Sequence, residues 1–142
     1  MIGIVVVTHG KLADEMIDSA KLIVGSMDAV EGVSIAADDD MQHAQNRILE
    51  AIKKTDKNGD GVLILTDLFG GTPSNLSLSF LADRKVEVLS GVNLPMLLSL
   101  ATGREGKSLD EAAEMAMNAG KKNITLASRI LNMKISAKKG CG

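Results

Sequence analysis

Five of the six residues from Ile2 to Val7 are apolar and β-branched, and the run closes on His9-Gly10. A half-exposed strand alternates apolar with polar residues, so this unbroken run requires a strand covered on both faces. That restricts the chain to folds in which helices cover both sides of a mostly parallel sheet. At 142 residues, against about 150 per domain, there is room for one such unit, and a chain of this size can build a full core without metal or disulfide support.

The rest of the chain supplies the required partners. Leu12, Met16, Ala20, Ile23 and Val24 recur at helical spacing before Gly25, which stands where a C-terminal cap belongs. Val30, Val33 and Ile35 make a second strand. Asp38 to Asp40 open a helix with apolar positions Met41, Ala44, Ile48, Leu49 and Ile52; its acidic start and Lys53-Lys54 end suit the helix dipole. Asn58 to Gly61 form a turn and Val62 to Leu65 a third strand. Thr72 as N-cap and Pro73 at the first helical position open a helix to about Asp83. Val86, Val88 and Leu89 form a fourth strand, Pro95 starts a helix that stops near Gly103, and Ser108 with Glu111 fits a capping box for a helix to about Ala119. Helix is expected again to about Asn132, followed by a basic tail.

This alternation predicts a doubly wound α/β fold with sheet order 2-1-3-4. Right-handed crossovers put the first and third strands side by side, with their helices on opposite faces. Ligands in such sheets bind where the winding reverses, outside the carboxyl ends of the strands. Those ends carry His9 and Asp67.

Composition narrows the function. Phe69 and Phe80 are the only aromatic residues, and sixteen basic against eighteen acidic residues give a net charge of −2. Neither base stacking nor a broad positive field is available, so nucleic acid is not an expected partner. The lone Cys141 excludes an internal disulfide and a thiolate metal cluster and suits a reduced, cytoplasmic setting. The apolar start is too short to span a bilayer and lacks a basic leader.

Two motif matches fail on context. Asp56, Asn58, Asp60, Gly61 and Asp67 resemble a calcium loop, but a helix must follow such a loop, and Val62 to Leu65 reads as a strand. Ala101 to Ser108 (ATGREGKS) resembles a phosphate loop, yet it follows a helix rather than a strand. That leaves Lys107 as a solvated loop residue. His43, in mid-helix, reads as a surface residue.

His9 and Asp67 are a pair at one crevice. If Asp67 accepts a hydrogen bond from one ring nitrogen of His9, it fixes the tautomer and leaves the other nitrogen free to attack. The carboxylate also favours a cationic ring, as a phosphorylated imidazole is. Gly70-Gly71 permits close backbone approach, and Thr72-Pro73-Ser74 opens a helix whose N–H groups suit an anion. No metal and no other cofactor is expected.

Thr8-His9-Gly10, the segment Thr66 to Asn75 (TDLFGGTPSN) and Gly91 to Met96 (GVNLPM) resemble, in order along residues 1 to about 130, the enzyme IIA proteins of the mannose family of the bacterial sugar phosphotransferase system. The resemblance implies a phosphocarrier that takes a phosphoryl group from phosphorylated HPr and passes it to a IIB protein. It makes His9 the phosphorylated residue, on Nε2, and Asp67 its orienting carboxylate. Thr8, Gly10, Leu68, Phe69, Gly70, Gly71, Thr72 and Ser74 would hold the phosphoryl oxygens. It further implies a homodimer in which a C-terminal strand, to be sought within Ile124 to Ile135, adds antiparallel to the partner's sheet. The membrane would be met only through permease subunits. Residues 1–130 would form the phosphocarrier domain, and residues 131–142, with Lys134, Lys138 and Lys139, a basic tail without a fused IIB domain. Phe69 and Met96 would contribute to an apolar docking rim or pack within the protein.

Two other functions compete. A receiver-like domain phosphorylated on Asp67 needs further acids at the end of the first strand, where this chain has Thr8-His9. A flavin or nucleotide domain of similar topology needs flanking aromatics or a G-x-G-x-x-G turn, and neither is present.

Overall fold

The computed structural model describes residues 1–83 and 85–132. Strands β1 (Gly3–His9), β2 (Val30–Ile35), β3 (Val62–Thr66) and β4 (Val86–Ser90) form one all-parallel sheet in the order β2-β1-β3-β4, as expected. Helices α1 (Leu12–Val24), α2 (Met41–Thr55), α3 (Gly71–Leu78), α4 (Leu94–Gly103) and α5 (Leu109–Lys122) cover it. Successive strand residues face opposite sides, which explains the unbroken apolar run. Ile2, Ile4 and Val6 pack with Leu63 and Leu65 against α1, α4 and α5. Val5 and Val7 pack with Val62 and Ile64 under α2 and beside Leu76 and Phe80.

Three expectations are corrected. Helix α1 buries Ala13, Ile17 and Ala20, leaving Leu12 and Ile23 exposed. The small side chains at 13 and 20 let the helix lie close to the sheet, and that rotates the larger residues outward. In α2 the expected Ala44, Ile48 and Ile52 are buried together with Ala51, while Met41 and Leu49 are exposed. Helix α3 opens at Gly71, ahead of Thr72, and ends at Leu78 rather than near Asp83. Beyond it the chain continues in i→i+3 bonds, Phe80 N–H to the Ser77 carbonyl and Asp83 N–H to that of Phe80. This Ser- and Asn-rich segment has little intrinsic helix preference to extend it.

Other termini follow the sequence. Asp40 caps α2 by accepting from the His43 N–H, and Ser108 with Glu111 forms the reciprocal capping box of α5. The strand Val62–Thr66 follows the Asp56–Gly61 turn, and Asp56 accepts from the Gly61 N–H, which disposes of the calcium loop. Residues 127–132 are helical, and no strand occurs in 124–132. The expected exchanged strand is not seen within 124–132, while 133–135 and the basic tail with Lys134, Lys138 and Lys139 lie outside the described residues. Among the described residues no helix is long and apolar enough to cross a membrane.

Candidate functional site

Val7 of β1 pairs with Thr66 of β3, so His9 and Asp67 emerge side by side at the carboxyl end of the sheet. Helix α1 leaves toward one face and α3 toward the other. The His9 ring Nδ1 lies 2.8 Å from Asp67 Oδ2, and the same oxygen accepts the His9 backbone N–H at 3.0 Å. An ionised carboxylate can only accept, so Nδ1 carries the proton and Nε2 keeps its lone pair. The imidazole is 52% exposed and the carboxylate 12%.

Burial opposes ionisation of Asp67. The His9 backbone N–H, the ring hydrogen bond, the charge of the ring and the Leu68 N–H together outweigh it, holding the carboxyl below the usual carboxylate range. Asp67 is therefore an anion at neutral pH.

Nε2 faces the start of α3. A Cβ built on Gly71 would stand 3.3 Å from both Nε2 and Cε1, and Gly71 has φ +81° after Gly70 at +102°. Only glycine adopts such a pair readily while leaving the ring uncrowded. The first turn of α3 thus lies beside the free nitrogen, where its N–H groups and dipole favour an anion.

The other expected site residues divide into two groups. The donors of Gly10 and Leu68 are already engaged, Gly10 N–H by the Ile35 carbonyl at 2.8 Å and Leu68 N–H by Asp67 Oδ1 at 3.0 Å. Thr8 is buried, and its hydroxyl accepts the Ala13 N–H at 2.7 Å, so it caps the first turn of α1. In the second group, the N–H groups of Phe69 and Gly70 make no hydrogen bond among the described residues. Thr72 is half-buried in the first turn of α3. Ser74 is buried there, its hydroxyl without a partner among the described residues. Phe69 is 82% exposed beside Leu68 at 60%, whereas Met96 is in the core. His43 is at the surface, and Lys107 lies in the loop after α4.

Sequence reading missed a hydroxyl pair under the 67–70 loop, the buried Thr66 with the half-buried Ser90. Thr66 Oγ1 lies 2.8 Å from Ser90 Oγ and 3.1 Å from the Leu68 carbonyl oxygen. The available signal was a threonine and a serine, each the last residue of an adjacent strand.

The chain is similar to known proteins over most of its length. Residues 3–117 match the family model described as PTS system fructose IIA component. The PTS system fructose-specific EIIA component of Bacillus subtilis (strain 168) is 32% identical over 112 residues, covering 78% of this chain and 76% of that protein. The PTS system mannose-specific EIIAB component of Escherichia coli (strain K12) is 29% identical over 125 residues, 87% of this chain; the match spans only 38% of that longer protein. Among solved structures, the phosphotransferase system component EIIA from Streptococcus agalactiae superposes with a TM-score of 0.82 at 29% identity, covering 91% of this chain and 99% of the other. The mannose/sorbose specific IIA subunit from Enterococcus faecalis gives 0.79 at 27%, covering 88% and 93%.

Proposed function

The chain belongs to the family of PTS system fructose IIA components, and from that premise we propose that it is a phosphocarrier of sugar uptake or its regulation, loaded on His9 Nε2 by phosphorylated HPr and unloaded to a IIB protein. The observation that carries this reading is the 2.8 Å contact of Nδ1 with Asp67, which leaves Nε2 as the nucleophile next to the α3 start. The Nε2 lone pair forms the new N–P bond as the donor's N–P bond breaks, and that electron pair returns to the donor ring. The Nδ1 proton stays in place, and Asp67 compensates the positive ring of the product. The developing charge on the phosphoryl oxygens falls to the Phe69 and Gly70 N–H groups, the Gly71–Thr72 start of α3 and the Thr72 and Ser74 hydroxyls. Gly10 and Thr8 contribute by fixing the exit from β1 and the placement of α1.

Docking of HPr and IIB is assigned to the exposed Leu68 and Phe69, which follow Asp67 in the chain. Exposed Ile124, Leu126, Ile130 and Leu131 are assigned to a homodimer contact. Residues 1–130 constitute the phosphocarrier unit.

The test is incubation with phosphorylated HPr. The expected product loses phosphate in acid and keeps it in base, and His9→Ala does not form it. A phosphate lost in base or hydroxylamine would instead mark an aspartyl phosphate on Asp67 and overturn the assignment.

A further inference from the structure

Two hydroxyl groups that the phosphocarrier reading does not use lie directly beneath its phosphoryl-binding loop. Thr66 and Ser90 are register partners at the ends of β3 and β4. Thr66 is fully buried, and its Oγ1 contacts both Ser90 Oγ at 2.8 Å and the Leu68 carbonyl at 3.1 Å. A hydroxyl has one proton. If Thr66 donates it to the carbonyl, the only acceptor-only group of the three, Ser90 must donate to Thr66. The result is a directed chain from Ser90 through Thr66 to the Leu68 carbonyl.

We propose that Ser90 and Thr66 are positioning residues for phosphoryl transfer, setting the orientation of the 68–69 peptide and thereby aiming the Phe69 N–H at the phosphoryl group. In a trans peptide the carbonyl and the following N–H point in opposite directions, and no peptide of the described chain is cis. Pulling the Leu68 carbonyl down onto Thr66 turns the Phe69 N–H away from the strand ends. Leu68 is held from the other side as well, since its N–H is bonded to Asp67 Oδ1 at 3.0 Å. One residue thus links the hydroxyl chain to the carboxylate that orients His9. Without the chain, the 68–69 peptide would be free to flip and present its carbonyl, which would repel a phosphoryl oxygen.

The inference rests on the phosphocarrier reading, and single-turnover phosphorylation by phosphorylated HPr separates the two. Thr66→Val keeps shape and branching but removes the donor. It is expected to lower the saturating rate by about ten- to a hundredfold, the scale of a misplaced catalytic dipole, with the half-saturating HPr concentration unchanged. Thr66→Ser, which keeps the hydroxyl, should restore the rate to within about threefold, and Ser90→Ala should fall between. In ¹H–¹⁵N spectra the Phe69 amide should move strongly on phosphorylation of the wild type and little in Thr66→Val. Full-rate transfer by Thr66→Val, a raised half-saturation at unchanged rate, or a Thr66→Ser variant as slow as the valine would overturn the positioning role while leaving the phosphocarrier reading intact. A wild type that accepts no phosphoryl group from HPr would overturn both.

Discussion

At the residue scale the chemistry depends on which nitrogen of His9 holds the proton. Asp67→Asn keeps the shape but presents an amide that can pair with either tautomer, so transfer from HPr should slow by about 10²- to 10⁴-fold with little change in HPr affinity; a single-turnover assay measures it, and a loss below tenfold would remove Asp67 from the mechanism. Gly71→Ala would place a methyl 3.3 Å from Nε2 at a φ of +81°. It should cost about 1–2 kcal/mol of stability and block phosphorylation, which melting and labelling of the same sample report together. Asp67 also sets a pH dependence. Its carboxyl pKa is depressed in the folded state, so its stabilisation is complete above the ordinary carboxyl value of 3.8 and is lost as pH falls through the lower folded value. The stability difference between wild type and Asp67→Asn should therefore be constant near neutrality and shrink below about pH 4. A difference that persists unchanged into strong acid would contradict the assigned pairing.

At the scale of elements, helix ends are what deliver the site. The Thr8 hydroxyl satisfies the Ala13 N–H, so α1 leaves β1 immediately after the His9-Gly10 turn. Thr8→Val keeps the branched shape and strands that buried N–H, at an expected cost of about 1–3 kcal/mol, read by urea unfolding; an unchanged midpoint would mean that the cap is not needed. The reciprocal box of Ser108 and Glu111 was legible because all its parts lie within four consecutive residues. The start of α3 was not, since two glycines at positive φ carry the chain into the helix ahead of the expected Thr72 cap. The inward faces of α1 and α2 were read in part: Ala20, Ala44, Ile48 and Ile52 are buried as expected, whereas Leu12, Ile23, Met41 and Leu49 are exposed and Ala13, Ile17 and Ala51 are buried instead, because apolar periodicity does not record which residues pack closest to the sheet.

At the scale of the whole molecule, the end of the sheet opposite the site is held by a buried cation. Arg104, after α4, donates to the carbonyls of Ile2 at 3.1 Å and Leu100 at 3.3 Å, and to that of Asp28. Burial lowers its pKa, opposed by the nearby Asp28 charge. Arg104→Met should cost about 3 kcal/mol by taking the guanidinium donors from the Ile2 and Asp28 carbonyls, the Leu100 carbonyl keeping the backbone N–H of residue 104, while phosphorylation by HPr in the folded fraction stays near wild type. A loss of transfer without a loss of stability would show the two ends of the sheet to be coupled. The sequence by itself determined the alternation of strands and helices, the two-sided parallel sheet and the candidate pair His9 and Asp67, because these are written in local periodicity and in the residues that end each strand. Only the tertiary structure decided that one carboxylate oxygen would take both His9 N–H groups, that Gly71 would border Nε2, and that Thr66 and Ser90 would meet beneath Leu68. Those contacts join residues 24 to 62 positions apart along the chain, and their geometry is set by strand register, which no local pattern of side chains records.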